Sequence, residues 1–444
     1  MEPSEQVGCL SSACSSATEM FEHQPLEEGK RQIRLIRLVH AQDALGQGHH
    51  SPSSAASPAT NLISCILDHH DFPATSADCY AENLKYIALS YMWGDDVAEH
   101  TILVNGKPFL VRQNLFDFLE VSWERRDRNS FWIDQLCINQ ADDVERSGQV
   151  QLMADIYTRA DAVYAWLGLA TDRTSAAFDY FQCLDIVGDI RKRINSSSYP
   201  LGWLWGDQVV RKAVASRGFN VSSLAAWESS HVLEDIFTRP YWSKLWIVQE
   251  FLLNQQVWFA CGFHLFLPQH NPWTTDLLCW HLSTMRKSQT TKRGATSISY
   301  ARYLMEYSQI RSDESVGLAA VLRTFMEQEC TDVRDKTFGL QACVNPMERL
   351  SADYKLTAEE VFLKVLRATR PIPLSSYIEL HDWTELGRKL HRAMQIDRWK
   401  SVFELDDLLV RLLKDPVYDC LGPTLRSKKW ESMRDLRLSL LEVR

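Results

Sequence analysis

The chain has 444 residues, 45% of them hydrophobic, 11% aromatic and 24% charged, with 15 tryptophans. That content excludes a wholly disordered chain and supports a sizeable aromatic core, in two or three domains or one large domain with helical additions. The net charge of −9 lacks the basic balance of a general nucleic-acid binder, so nucleic acid is not expected as a partner.

No charged-then-apolar leader opens the chain, and no apolar run approaches the ~20 residues of a membrane span. A cytoplasmic protein without a membrane span is expected. The eleven cysteines are scattered, with no Cys-x-x-Cys pair. Buried free thiols are the expectation, not a disulfide framework or a zinc site.

In chain order, residues 1–30 are Ser-rich and acidic, the composition of a disordered segment. Ile33 to Val39 alternates as a first strand. Gln47 to Ala59 is Gly/Ser/Pro/His-rich and reads as a loop. His49-His50 and His69-His70 read as surface pairs, not metal ligands. Tyr86 to Tyr91 is a buried strand ending in a turn with Trp93, Gly94, Asp95 and Asp96. Asn105-Gly106 between the apolar runs Thr101–Val104 and Phe109–Val111 predicts a hairpin. Gln113 to Arg126 fits an amphipathic helix burying Leu115, Phe118, Leu119, Val121 and Trp123.

Phe131-Trp132-Ile133 is a short apolar run that turns abruptly polar at Asp134, Gln135, Asn139 and Gln140. A helix to about Ala160 follows, then a strand over Asp161–Gly168. The resulting β-α-β-α-β order predicts a parallel sheet with right-handed crossovers. Polar groups at such strand ends sit in the crevice beyond the sheet's carboxyl edge. Part of this loop has an ordinary explanation: Asn139 capping the helix, with Asp142 and Asp143 at its positive end. Asp134, Gln135 and Gln140 are left over.

Ala176 to Ile194 predicts a helix, and Trp203 and Trp205 open an irregular region. Pro240 marks an entry to the apolar run Leu245–Val248, which ends in Gln249-Glu250 as at a third strand end. Val257 to Gly262 is one more strand. Met285 to Ser297 is a basic, Thr/Ser-rich loop and a boundary. Helices are expected at Thr331–Leu340 and at Thr357–Arg367, where Thr357 and Glu360 have capping-box spacing. Beyond Pro373 the pattern is helical and charged.

The P-loop, nucleophile-elbow and His-Glu-x-x-His signatures are absent, which speaks against a P-loop nucleotidase, an α/β-hydrolase and a zincin. Cys137 sits in the polar loop but has no His partner by sequence, and a buried thiol is its ordinary reading.

Three stretches together resemble the fungal heterokaryon-incompatibility (HET) domain family: Ala88-Leu89-Ser90-Tyr91-Met92-Trp93-Gly94-Asp95, Trp132 to Gln140 with Glu145-Arg146, and Arg239-Pro240-Tyr241-Trp242 with Leu245 to Glu250. Lys244, where the family more often has Arg, and Met92 depart from the pattern without touching the polar groups. The resemblance implies a HET domain over 31–265 and a helical extension over 266–370; it does not cover 371–444, which the residue pattern makes a helical tail. It also implies a nonself-recognition module, linked to growth arrest and programmed cell death and working with protein partners. The family is itself similar to TIR domains, which implies a flavodoxin-like/TIR-like parallel sheet flanked by helices, with a mostly α-helical C-terminal region.

Some TIR domains cleave NAD with a glutamate, and the resemblance implies NAD as a substrate, with no cofactor and no metal. An oxocarbenium-like transition state needs a nearby carboxylate. Glu250 is the first catalytic candidate and Asp134 the second. Trp93, beside Gly94, would stack on a ring; Ser90, Asn139, Gln140 and Gln249 would bond substrate; Arg146 would meet phosphate or pair with Asp134. The alternative is a non-catalytic module that signals by self-association, in which Asp134, Arg146 and Glu250 form a buried ion-pair network. An open pocket with Glu250 facing Asp134 would favour the enzyme, and a closed, fully paired cluster the module.

Overall fold

The computed structural model describes residues 19–40, 62–72, 84–94, 97–194, 208–219, 231–288, 292–310, 316–371, 377–399 and 401–414. His49-His50, Asp95, Asp96, Trp203 and Trp205 lie outside these. The chain divides into two compact α/β units, Met1–Leu89 with Trp93–Gln151, and Ser90–Met92 with Leu152–Arg444.

In the first unit the strands are β1 (Gln32–Val39), β2 (Ser64–Asp71), β3 (Ile87–Tyr91, whose end is counted with the second unit), β4 (His100–Val104), β5 (Lys107–Val111) and β6 (Phe131–Trp132). They lie in the order β5-β4-β2-β1-β6-β3. The expected parallel arrangement holds for β3–β6; β2, a strand the sequence pattern did not announce, runs parallel to β4, whereas β1–β2, β1–β6 and β4–β5 are antiparallel. The sheet is therefore mixed. Its parallel pair β3–β6 is joined through the β4–β5 hairpin and the helix Gln113–Glu124, a connection long enough to return the chain in the same direction.

The hairpin forms where turn chemistry placed it. Asn105 and Gly106 have φ of 50° and 78°, the left-handed pair that folds two strands back with matching twist. Asn105 also clamps β2, its amide accepting from Leu67 N–H at 2.9 Å and donating to Leu67 O at 3.1 Å. The helix Gln113–Glu124 buries Leu115, Phe118, Leu119 and Val121, with Trp123 half-buried.

Residues 19–30 form a tethered strap, although their composition suggested disorder. Phe21 N–H donates to Pro108 O at 2.8 Å, and the Phe21 and His23 rings pack edge-on against Phe109. Residues 1–18 lie outside the described part.

The second unit contains β7 (Ala162–Trp166), β8 (Val257–Cys261) and β9 (His264–Phe266) in that order, β7–β8 parallel and β8–β9 antiparallel. Its core is aromatic. Phe237, Phe259 and Trp242 have centroids 5.5–6.1 Å apart, and Phe181 stacks on Phe266 at 4.9 Å. Trp242 is buried, and its indole N–H finds Ile236 O at 2.9 Å, as a buried indole requires.

The loop expected over 285–297 is largely the end of one helix, Pro272–Ser288, and the start of another, Lys292–Ile310. The helix expected over 331–340 shrinks to the turn Asp335–Phe338. The helix Ala358–Ala368 carries the capping box, with Thr357 and Glu360 each bonding the other's backbone N–H. Among the described residues no helix is long and apolar enough to cross a membrane.

Candidate functional site

Glu250 does not lie at a strand end. Leu245–Val248 is too short an apolar run to distinguish strand from helix by periodicity, and pairing decides the matter. Leu245 N–H is taken by Glu329 O at 2.9 Å, Lys244 forms an isolated bridge to Glu329, and the chain then coils into the short helix Ile247–Leu252. All six residues of that helix are buried. Just before it, Pro240 starts the one-turn 3-10 helix Pro240–Ser243, which buries Tyr241 and Trp242.

Within the second unit, three side chains from distant parts of the sequence meet. Ser90 Oγ donates to Glu250 Oε2 at 2.6 Å, and Ser90 Oγ lies 2.8 Å from the Tyr241 hydroxyl. Ser90 is wholly buried and Glu250 is 6% exposed. Because the Ser90 proton is directed at the carboxylate, the phenol is the donor to Ser90. Burial holds the Tyr241 phenol well above its ordinary pKa, with the Ser90 hydrogen bond acting weakly against it, so Tyr241 keeps its proton. Gln249 is also buried, and its Nε2 meets no hydrogen-bond partner among the described residues. A buried amide donor without a partner is uncommon in a folded protein.

The first unit holds a second cluster. Trp93 Nε1 donates to Asp134 Oδ2 at 2.7 Å, while Asp134 Oδ1 accepts from Gln135 N–H at 2.7 Å. Gln140 Nε2 donates to the Asp134 carbonyl at 2.9 Å, so Gln140 braces the loop. Trp93 and Asp134 are half-buried, and Gly94 is exposed at φ 76°, a backbone value that favours glycine. The Arg112 guanidinium sits 4.9 Å from the Trp93 ring centroid, a cation–π contact that no sequence signal announced.

Two expectations for this loop, an Arg146–Asp134 pair and an Asn139 helix cap, fail on geometry. Arg146 is exposed and pairs with Asp143 at 2.7 Å, three residues back on its own helix, instead of reaching Asp134. Asn139 does not cap that helix. Its side chain turns onto Ala141 N–H at 3.2 Å, and Asp142 takes the cap by accepting from Val144 and Glu145 N–H at 2.9 and 3.1 Å. Asp142 is the residue next to the first helical N–H groups, which makes it the better placed cap.

Behind the loop lies Arg34, a charged residue on a strand that alternation alone would not have buried. It is 0% exposed. Its five N–H donors go to His69 Nε2, Cys137 O, Gln24 O and both oxygens of Glu145, at 2.6–2.9 Å. His69 therefore accepts on Nε2 and is neutral, its pKa lowered by burial and by the neighbouring Arg34. Cys137 is no nucleophile, since burial pushes its thiol up to about 12. Among the described residues, the seven cysteines Cys65, Cys137, Cys183, Cys261, Cys279, Cys330 and Cys343 are free thiols. His381, Asp382 and Glu385 also come together on the helix Tyr377–Ala393, but His381 and Glu385 are exposed and Glu385 pairs with Lys389 at 2.8 Å.

Residues 86–250 match the family model for the heterokaryon incompatibility protein (HET) domain. This stretch, which spans Ser90, Asp134 and Glu250, is a HET domain. Along 78% of its length the chain is 28% identical to "Heterokaryon incompatibility protein 6, OR allele" of Neurospora crassa, and it covers 55% of that protein. The chain thus spans about half the length of this relative. No solved structure matches it.

Proposed function

We propose that this chain is a nonself-recognition module of fungal heterokaryon incompatibility, whose activation leads to growth arrest and cell death through cleavage of the nicotinamide–ribose bond of NAD. The supporting observation is Glu250: a carboxylate almost free of solvent, taking a hydrogen bond from the neutral hydroxyl of Ser90, beside the orphan amide of Gln249. As the bond from C1′ to nicotinamide breaks, its electron pair leaves with the nicotinamide and positive charge develops on the ribosyl ring. A carboxylate in a water-poor setting stabilises that charge more than a solvated one. Water then forms the new C1′–O bond and gives up its proton, with ADP-ribose and nicotinamide as products. Ser90 holds the carboxylate in one orientation, and the Gln249 amide offers a donor to a substrate oxygen. Asp134, held by Trp93, is the second candidate carboxylate.

The closure of the Ser90–Tyr241–Glu250 cluster favours a second reading, a non-catalytic module that signals by self-association, in which the cluster fixes a helix to a strand. The two separate in one assay. Purified full chain at high concentration is incubated with NAD beside Glu250→Gln and Asp134→Asn. Loss of NAD with the wild type but not with Glu250→Gln supports the enzymatic reading. Loss retained by Glu250→Gln and abolished by Asp134→Asn transfers the role to Asp134. No loss with any of them, with growth arrest in cells intact for Glu250→Gln, establishes the non-catalytic module.

A further inference from the structure

The turn that carries Glu250 is held by a segment well beyond the matched domain. Glu329 N–H donates to Ser243 O at 2.7 Å, and Glu329 O accepts from Leu245 N–H at 2.9 Å. Gln328 Nε2 donates to Trp242 O at 2.9 Å, and Lys244 pairs with Glu329 at 2.9 Å. One helical turn before Glu250, the Trp246 indole N–H donates to Asp335 Oδ2 at 3.2 Å, while the Tyr354 hydroxyl donates to Asp335 Oδ1 at 2.7 Å. Asp335 is 7% exposed. Gly339 closes the same contact, since a Cβ there would stand 3.0 Å from the Asp335 carbonyl and 3.5 and 3.7 Å from Leu245 and Trp246. Trp246 in turn accepts the Glu250 N–H on its carbonyl at 3.4 Å.

We infer that Asp335 is a positioning residue for Glu250, acting through the Trp246 indole. An aspartate offers two acceptors, and here each meets a neutral donor from a different segment. The pair of bonds fixes the Trp246 ring, the ring fixes the rotation of the first turn of Ile247–Leu252, and that rotation sets where the Glu250 carboxylate points. Packing alone would be satisfied by any residue of similar volume. A carboxylate buried with one indole and one phenol is specific to hydrogen bonding. The working unit accordingly extends from the HET domain to at least Tyr354.

The functional side of this inference rests on the Glu250 reading above, and its structural side does not. The test is a double-mutant cycle on the full chain with Asp335→Leu, Trp246→Phe and the pair, with Asp335→Asn as the conservative variant. Amide hydrogen exchange over residues 247–253 is the first readout, and NAD turnover the second. Asp335→Leu and Trp246→Phe are each expected to speed exchange in that stretch by roughly tenfold, the scale of one buried hydrogen bond. The pair should do no more than either alone. Asp335→Asn keeps an acceptor for the indole and a donor for the phenol oxygen, and should stay near wild type. Where the wild type consumes NAD, kcat should fall in both single variants while KM changes less. Unchanged exchange over 247–253 in Trp246→Phe, or effects that simply add, would overturn the inference. Trp246→Phe keeps an aromatic ring without the indole N–H and serves where Asp335→Leu fails to fold. A wild type inert toward NAD would defeat the enzymatic reading yet leave the exchange result to decide the positioning role.

Discussion

The two units each bury a carboxylate, and they partner it in different ways. In the first unit Glu145 faces Arg34, with both oxygens bonded to the guanidinium at 2.6 and 2.9 Å. Burial alone would raise the Glu145 pKa, but the Arg34 hydrogen bonds and charge, with Asn139 N–H, outweigh it and hold the group below its ordinary value. In the second unit Glu250 takes a serine hydroxyl, and Asp335 takes an indole and a phenol. Burial leaves Asp335 above the ordinary carboxylate range despite those donors. A carboxylate matched by a cation has its charge cancelled in place and serves as a fastener. One that takes hydrogen bonds from neutral donors gets no such cancellation from those donors.

Removing the cation breaks the comparison most severely. Arg34→Met leaves Glu145 buried without its counter-charge and strips donors from Gln24 O and Cys137 O, and should cost about 3–5 kcal/mol in urea unfolding. The double variant Arg34→Met with Glu145→Met should recover most of that loss, because the price of a buried pair falls chiefly on breaking half of it. A single variant as stable as the wild type would show that the fastener carries no net weight.

Acid separates the units next. In the second unit His281 is buried against the Tyr180 hydroxyl at 2.6 Å, and burial pushes its pKa from 6.5 down to about 4. Below pH 6.5 the unfolded chain takes a proton that the folded chain refuses until about pH 4. Stability is therefore full above 6.5, falls as pH drops from 6.5 toward 4, and has then lost about 3 kcal/mol. His23 and His69 in the first unit are lowered by burial and shift in the same sense, whereas the Glu145 contribution persists until pH falls below 4.5. His281→Gln, which keeps a partner for Tyr180, should flatten the loss between pH 6.5 and 4 in denaturation curves taken across that range. A slope identical to wild type would assign the limb to the other histidines.

Features fixed by neighbours in sequence could be read from the chain: the Asn105-Gly106 turn, the Thr357–Glu360 box, the helix beginning at Gln113, and the concentration of polar groups in three stretches. Features fixed by distant partners could not. Leu245–Glu250 looked like a strand end because nothing local says that Glu329 will take Leu245 N–H. Residues 19–30 looked unstructured because the buried guanidinium that holds Gln24 O belongs to a strand. Of the site, Ser90, Glu250, Trp93 and Asp134 were legible as polar groups at the ends of apolar runs. Tyr241 reads as core, since an aromatic beside Trp242 has the look of a packing residue. Arg112 carries no local mark and Asp335 reads only as one charge in a cluster at a helix start, and the fold alone brings them to Trp93 and Trp246.

The smallest effect tests whether Ser90 bridges the second cluster. Tyr241 keeps its proton and points it at Ser90, and Ser90 passes its own to Glu250, so removing different members leaves different groups stranded. Ser90→Ala takes the acceptor from the phenol and the donor from the carboxylate together, and should cost about 1–3 kcal/mol. Tyr241→Phe removes the phenol hydroxyl itself, leaves the Ser90–Glu250 bond intact and strands no buried donor, so it should cost about 1 kcal/mol or less. Urea unfolding of the two variants beside wild type gives the ranking. Equal costs, or a costlier Tyr241→Phe, would mean that Glu250 is held by something other than the relay. The contrast with the Arg34-closed carboxylate would then rest on Asp335 alone.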